Sequence, residues 1–292
     1  MAPSLFPQVP RSERDWQRAA ATAGVANKNL QSYDNFKSAS KVTKRQFLLY
    51  RTIFVKKAKR QFNPNVFGLG TKFTNAQTLL RGSRGFQSYI SAIQTKSFRA
   101  KGQFTALREQ QREVLECQSG TGSILTQKDE SPVNATFINM LQAIATVSPT
   151  ISARWRHTKI ELTANFGHGR SFTAVTDGQL QDIQTGKIRA LVECKREIRA
   201  NDSVKIDMQE ASQIVALMRH FPSGTLPRYL FSEDDDELYF TLAQPNRQYL
   251  KYLNQGQKAP RSFMTMHQFG PWHLGNAADV ECFAAIILTI SI

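Results

Sequence analysis

At 292 residues with 41% hydrophobic content, the chain has room for one large domain or two small ones. Its net charge of +15 lies wholly in residues 1–100, which carry 18 Lys/Arg against 3 Asp/Glu, while the remainder carries 20 of each. No apolar run reaches the ~20 residues of a membrane span. Three scattered cysteines, Cys117, Cys194 and Cys282, argue against a disulfide framework or a zinc knuckle and fit a reducing, intracellular compartment.

Residues 1–40 are rich in Pro, Ser, Ala and Asn with little periodicity, so they read as mostly disordered, with a helix near Asp15–Ala23. From 41 to 62 apolar and basic side chains interleave at helical spacing (Phe47, Leu48, Tyr50, Arg51, Phe54, Val55), which predicts one basic amphipathic helix. Lys56-Lys57-Ala58-Lys59-Arg60 matches a nuclear-localisation cluster. Asn63–Gly102 is interrupted by glycines and predicts turns, with RGSRG as a loop. Residues 1–103 are therefore expected to form a basic, partly disordered arm suited to a polyanion, or merely a solubilising tail.

Beyond Phe104 the pattern firms. Phe104–Cys117 is a charged helix, and Asp129–Pro132 opens another through Val133–Val147. Strands follow at Lys159–Phe166, Ser171–Ile183 and Lys187–Arg196, then a helix over Asp207–Phe221. Two more strands, Tyr229–Ser232 and Leu238–Ala243, flank a solvated acidic turn at Glu233–Glu237. Helices at Gln244–Tyr252 and Asn276–Thr289 are separated by a loop holding Gly270-Pro271-Trp272. The expected class is α/β, in the order helix, three strands, helix, strand, followed by extra C-terminal helices.

One stretch carries chemistry. Alternate residues of a strand share a face, so Glu193 and Lys195 point one way and Cys194 the other. If Ser171–Ile183 and Lys187–Arg196 pair through the Gln184–Lys187 turn, Asp177 approaches the same face. Two carboxylates and a lysine then converge, a set that can hold a divalent cation and activate water. The blander readings are a turn-forming Asp177-Gly178 and an exposed Glu/Lys pair at a strand end.

An Asp, a strand bearing E-x-K and a helix opening Q-E-x-x-Q resemble the PD-(D/E)XK nuclease superfamily. FTAVTDG, VECK, MQEASQIVA and QFGPWHLGNA are similar, in order, to blocks of its fungal nuclease-like group. The resemblance covers residues 104–292. It implies a restriction-endonuclease-like core with a three-stranded meander and a Mg²⁺- or Mn²⁺-dependent nuclease, its catalytic residues Asp177, Glu193, Lys195 and Gln209. Metal ligands would be Asp177, Glu193, the Cys194 backbone carbonyl and Glu130, with Asp129 competing for the last place. Arg196, Arg199, Lys205 and Gln213 would meet nucleic acid, DNA in the first instance, in the nucleus. The alternative is a catalytically silent module of the same fold that binds nucleic acid or protein.

Overall fold

A computed structural model describes residues 8–119, 131–222 and 224–292. In chain order its main elements are α1 (Glu13–Thr22), α2 (Lys44–Leu49), β1 (Thr52–Lys57), α3 (Gly70–Gly82), α4 (Arg84–Gln94), α5 (Phe104–Ser119) and α6 (Ser131–Ala145). After these come β2 (Ala153–Arg156), β3 (Ile160–Asn165), β4 (Ser171–Thr176), β5 (Gly178–Asp182), β6 (Ile188–Lys195) and α7 (Ser203–His220). The chain closes with β7 (Arg228–Asp234), β8 (Glu237–Gln244), α8 (Arg247–Gln255), β9 (Met264–His273) and α9 (Ala277–Ser291).

Among the described residues, seven strands form a mixed sheet in the order β1-β9-β8-β7-β6-β5-β2, and β3 pairs with β4 as a separate hairpin. The central strands β6 and β7 send alternate side chains to two cores. Leu191 of β6 and Leu230 of β7 join Met208, Ala211 and Val215 of α7 on one face. Ala190, Val192 and Phe231 join Phe137, Leu141 and Phe283 of α6 and α9 on the other. β2, β5 and β6 are antiparallel neighbours; α7 then carries the chain back so that β7 runs parallel to β6.

The N-terminal third departs from expectation. Residues 8–57 are folded into the first of these cores, not partly disordered. Ser12 caps α1 by accepting the Asp15 N–H, and the helix buries Trp16, Ala19 and Ala20. Trp16 donates its indole N–H to the Leu48 carbonyl at 2.7 Å. The Arg51 guanidinium lies 4.6 Å from the Trp16 ring and 4.3 Å from Phe263, and its Nε donates to the Ser262 carbonyl at 2.8 Å. The single amphipathic helix expected over 41–62 is instead short α2 followed by β1. Thr52-Ile-Phe-Val-Lys-Lys pairs in parallel with β9, from Thr52 opposite Met264 to Lys57 opposite Phe269. β9 itself occupies the expected Gly270-Pro271 loop, and the glycine-punctuated 63–102 segment forms α3 and α4, with Ser83 of RGSRG capping α4.

The other corrections surround Asp177. The alternation expected as one strand over Ser171–Ile183 breaks there: β4 ends at Thr176, in the small hairpin, and β5 starts at Gly178, in the large sheet. Gly178 permits the crossing, since a Cβ would sit 2.5 Å from Ile138 Cδ1 and 2.7 Å from the Arg156 carbonyl oxygen. The third antiparallel strand is β2, which local periodicity did not reveal; the expected strand Lys159–Phe166 and the first half of the expected Ser171–Ile183 form the detached hairpin. The Gln184–Lys187 turn stands as expected, closed by Asp182 Oδ1 accepting the Gln184 and Thr185 N–H groups.

Candidate active site

β6 places Glu193 and Lys195 on the α7 face and Cys194 on the other. The Glu193 side chain is 2% exposed. Its Oε1 accepts from Lys195 Nζ at 2.5 Å and from Gln209 Nε2, and its Oε2 accepts from Gln213 Nε2 at 2.5 Å. Gln209 and Gln213 sit one helical turn apart, so α7 presents both amides to one carboxylate. Gln213 Nε2 also donates to the Val175 carbonyl at 3.1 Å, joining α7 to β4, while its buried Oε1 accepts no hydrogen bond from the described residues. Burial pushes the Glu193 carboxyl up to about 7; the Lys195 ammonium opposes that rise and the Asp177 charge adds to it. A buried acid at that value exchanges its proton at neutral pH.

Asp177, 8% exposed, stands where β4 hands over to β5. Its N–H donates to the Val192 carbonyl at 3.0 Å, and its Oδ2 accepts the Cys194 N–H at 3.0 Å. This second bond clamps the acid to the strand that carries Glu193. Oδ1 receives Lys159 Nζ at 2.9 Å, from a side chain 60% exposed. The N–H and C=O of a strand residue project to the same side, so the Cys194 carbonyl points to the side that Asp177 occupies. Asn134 of α6 approaches from behind, with Cys194 Sγ 3.9 Å from its Oδ1.

The residues expected to meet nucleic acid divide. Arg196 and Lys205 border a cavity of about 580 Å³ that opens onto Lys195 and Gln209. Arg199 does not. It is 3% exposed, and its guanidinium is enclosed by acids: Nε donates to Asp234 Oδ2 at 2.5 Å, and Nη1 donates to Asp207 at 3.3 Å and to Glu210 at 3.1 Å. It lies over the Tyr239 ring at 4.3 Å. Lys56 of β1 pairs with Asp207 at 2.6 Å, Ser232 donates to Glu210 at 2.7 Å, and Gln268 of β9 donates to both acids. Burial pushes Asp234 up to about 6 against the pull of Arg199; Glu210, equally buried, is held below the usual range by that same arginine. Gln213 is likewise buried on Glu193 and offers no surface to a ligand. The expected acidic turn is exposed at Asp236 and half-buried at Asp235 and Glu237, while Glu233 and Asp234 are buried.

This ionic cluster ties α7 to β1, β7 and β9 behind the Glu193 site. Three acids on apolar faces, Asp207, Glu210 and Asp234, were its signal in the sequence. Glu130 and Asp129 lie outside the described residues. Among the described residues no group of three or more His, Cys, Asp or Glu side chains could hold a metal ion. What the site offers is a pair of carboxylates, a backbone carbonyl and an ammonium. No protein-family model matches the chain, and no curated protein matches its sequence. No helix among the described residues is long and apolar enough to cross a membrane.

Proposed function

We propose that the chain is a metal-dependent phosphodiesterase acting as a nuclease through Asp177, Glu193 and Lys195. The observation that carries the reading is the buried Glu193–Lys195 contact beside an Asp177 fixed by the Cys194 N–H. The antiparallel run β2–β5–β6 followed by α7 and parallel β7 supports the PD-(D/E)XK resemblance, with β3–β4 as an insertion.

The residues present fit a hard divalent cation. The Asp177 charge lies close enough to raise the proton affinity of Glu193, and such a pair gains from a cation between them. Asp177, Glu193 and the Cys194 carbonyl would hold Mg²⁺ or Mn²⁺, with Lys159 yielding its place on Asp177. When bound, the ion polarises the scissile phosphate and acidifies a water. Lys195 holds its ammonium toward the charge that develops on phosphate oxygens. Gln209 and Gln213 fix the Glu193 rotamer, so the carboxyl meets the reacting water in one orientation. Arg196 and Lys205, at the mouth of the adjoining cavity, contact flanking phosphates. Action in the nucleus belongs to the same reading; of the basic cluster, Lys56 and Lys59 are engaged in ion pairs and Arg60 is exposed.

One observation favours a second reading, a silent nucleic-acid-binding or protein-interaction module. Glu193 is fully bonded by Lys195, Gln209 and Gln213, and Asp177 by Lys159 and Cys194, so both carboxylates are satisfied without metal. Plasmid nicking with Mg²⁺ or Mn²⁺ separates the two. Cleavage by the wild type that Lys195→Ala loses supports the nuclease; DNA retention in a mobility-shift assay with no cleavage by either protein supports the module.

A further inference from the structure

On the far side of the sheet from Glu193 lies a second acid with a different environment. Ser232 and Asp234 face α7, so Glu233 between them faces the layer of α5 and α6. Its strand neighbours there are Cys194 on β6 and Leu238 on β8, both fully buried. Glu233 is 1% exposed, and neither carboxyl oxygen has a hydrogen-bond partner among the described residues. Leaving a buried polar group unpaired costs about 1–3 kcal/mol, and a leucine would suit the layer better.

Glu233 stands in the wall of a cavity of about 400 Å³, within the ~300–1,000 Å³ range of small-molecule sites. Apolar walls come from Ile93, Phe98, Val114 and Leu115, and Asp235 and Asp236 of the β7–β8 turn stand at the same cavity. Its arginine is already committed. Arg108 donates from Nε and Nη2 to the Ser97 carbonyl at 3.2 and 2.9 Å, donates from Nη1 to Gln111 at 2.8 Å, and lies over Phe98 at 4.8 Å. The Tyr89 hydroxyl accepts from Gln111 at 2.8 Å.

We propose that this cavity binds a small organic cation, an ammonium or amidinium head on an apolar body, with the head on Glu233. An N–H-rich head supplies the donors that both Glu233 oxygens lack. Lys96 and Arg108 match Asp235 and Asp236 in number at the cavity, so the preference for a cation rests on the unpaired Glu233, and the apolar walls accept a hydrocarbon body. Burial, with the charges of Asp234, Asp235 and Asp236, holds the free Glu233 carboxyl protonated well above the usual carboxylate range. Lys96, Arg108, Asp235 and Asp236 also line this space, the buried Tyr89 hydroxyl interacts with Glu233 from behind it, and Asp236 lies 3.6 Å from His273.

The test is calorimetric titration of the full chain with benzylamine and hexylamine, against benzyl alcohol as the neutral isostere. The wild type is expected to bind at least one amine and to bind it more tightly than benzyl alcohol. Glu233→Gln is expected to weaken amine binding about tenfold or more and to leave benzyl alcohol unchanged. Glu233→Leu is expected to lose amine binding with an equal or higher Tm. Failure of both amines to bind the wild type, equal amine affinity in Glu233→Gln, or a lower Tm in Glu233→Leu overturns the proposal, the last by making the acid a packing element.

Discussion

Replacing Glu193 by Gln should change how stability depends on pH, and the size of the change follows from the site. In the folded chain the Glu193 carboxyl titrates at about 7, against 4.5 for the free group, chiefly because it is buried. Between those values the folded state holds a proton that the unfolded state has lost, so stability falls as pH rises through that window and levels off above it. The gap between 4.5 and about 7 is worth about 3 kcal/mol. Glutamine does not titrate and lacks this slope. It also turns an amide donor toward the donors of Gln209, Gln213 and Lys195, an offset of about 1–3 kcal/mol at low pH. The variant should therefore be the less stable protein near pH 4.5 and should gain on the wild type by about 3 kcal/mol on the way to pH 8. Urea unfolding of both proteins in EDTA, at half-unit pH steps, measures the difference directly. The other raised acids, Asp207, Glu233 and Asp234, are common to both proteins and largely cancel. A wild-type-minus-variant difference that stays constant across the range would refute the reasoning.

Three further substitutions probe the framework. Arg199→Met leaves Asp207, Glu210 and Asp234 without their shared guanidinium and should cost about 3–5 kcal/mol in urea unfolding; a loss under about 1 kcal/mol would show the cluster to be electrostatically idle. Gly178→Ala drives a methyl into Ile138 and the Arg156 carbonyl, for about 1–3 kcal/mol, read as a fall in Tm; an unchanged Tm would mean that β2 moves aside freely. Trp16→Ala empties a buried site under α1 and should cost about 3–5 kcal/mol; no change in the unfolding midpoint would return residues 8–57 to the status of a loose arm.

What the sequence discloses depends on whether a signal is local. α5, α7 and α9 were legible because their apolar residues recur at helical spacing over three turns or more. The facing of Glu193, Lys195 and Cys194 was legible because a strand has a strict period of two. Residues 47–57 carry apolar and basic side chains in a pattern that a helix or a strand can use, and β9, more than two hundred residues away, decides for the strand. β9 in turn is hidden by Gly270-Pro271, whose glycine takes a φ of +140° beside a register shift in the pairing with β8. Charge misled in a similar way. Arg199 reads as a surface phosphate contact and the Glu233–Glu237 acid run as a solvated turn, since composition does not report that Asp207, Glu210 and Asp234 converge on one guanidinium. Asp177 lies against the strand of Glu193 as the hairpin argument expects, but its location at a change of sheet was written only in the glycine that follows it.

The pairing of β1 with β9 sets a rule for synthesis. The first hundred residues leave the ribosome long before their sheet partner exists, because β9 begins at Met264. Throughout that interval the emerging segment bears the entire +15 surplus of the chain. Mutual repulsion along it disfavours premature collapse and association with other nascent copies. The basic bias of this region is thus suited to waiting, and the arrival of β9 ends the wait.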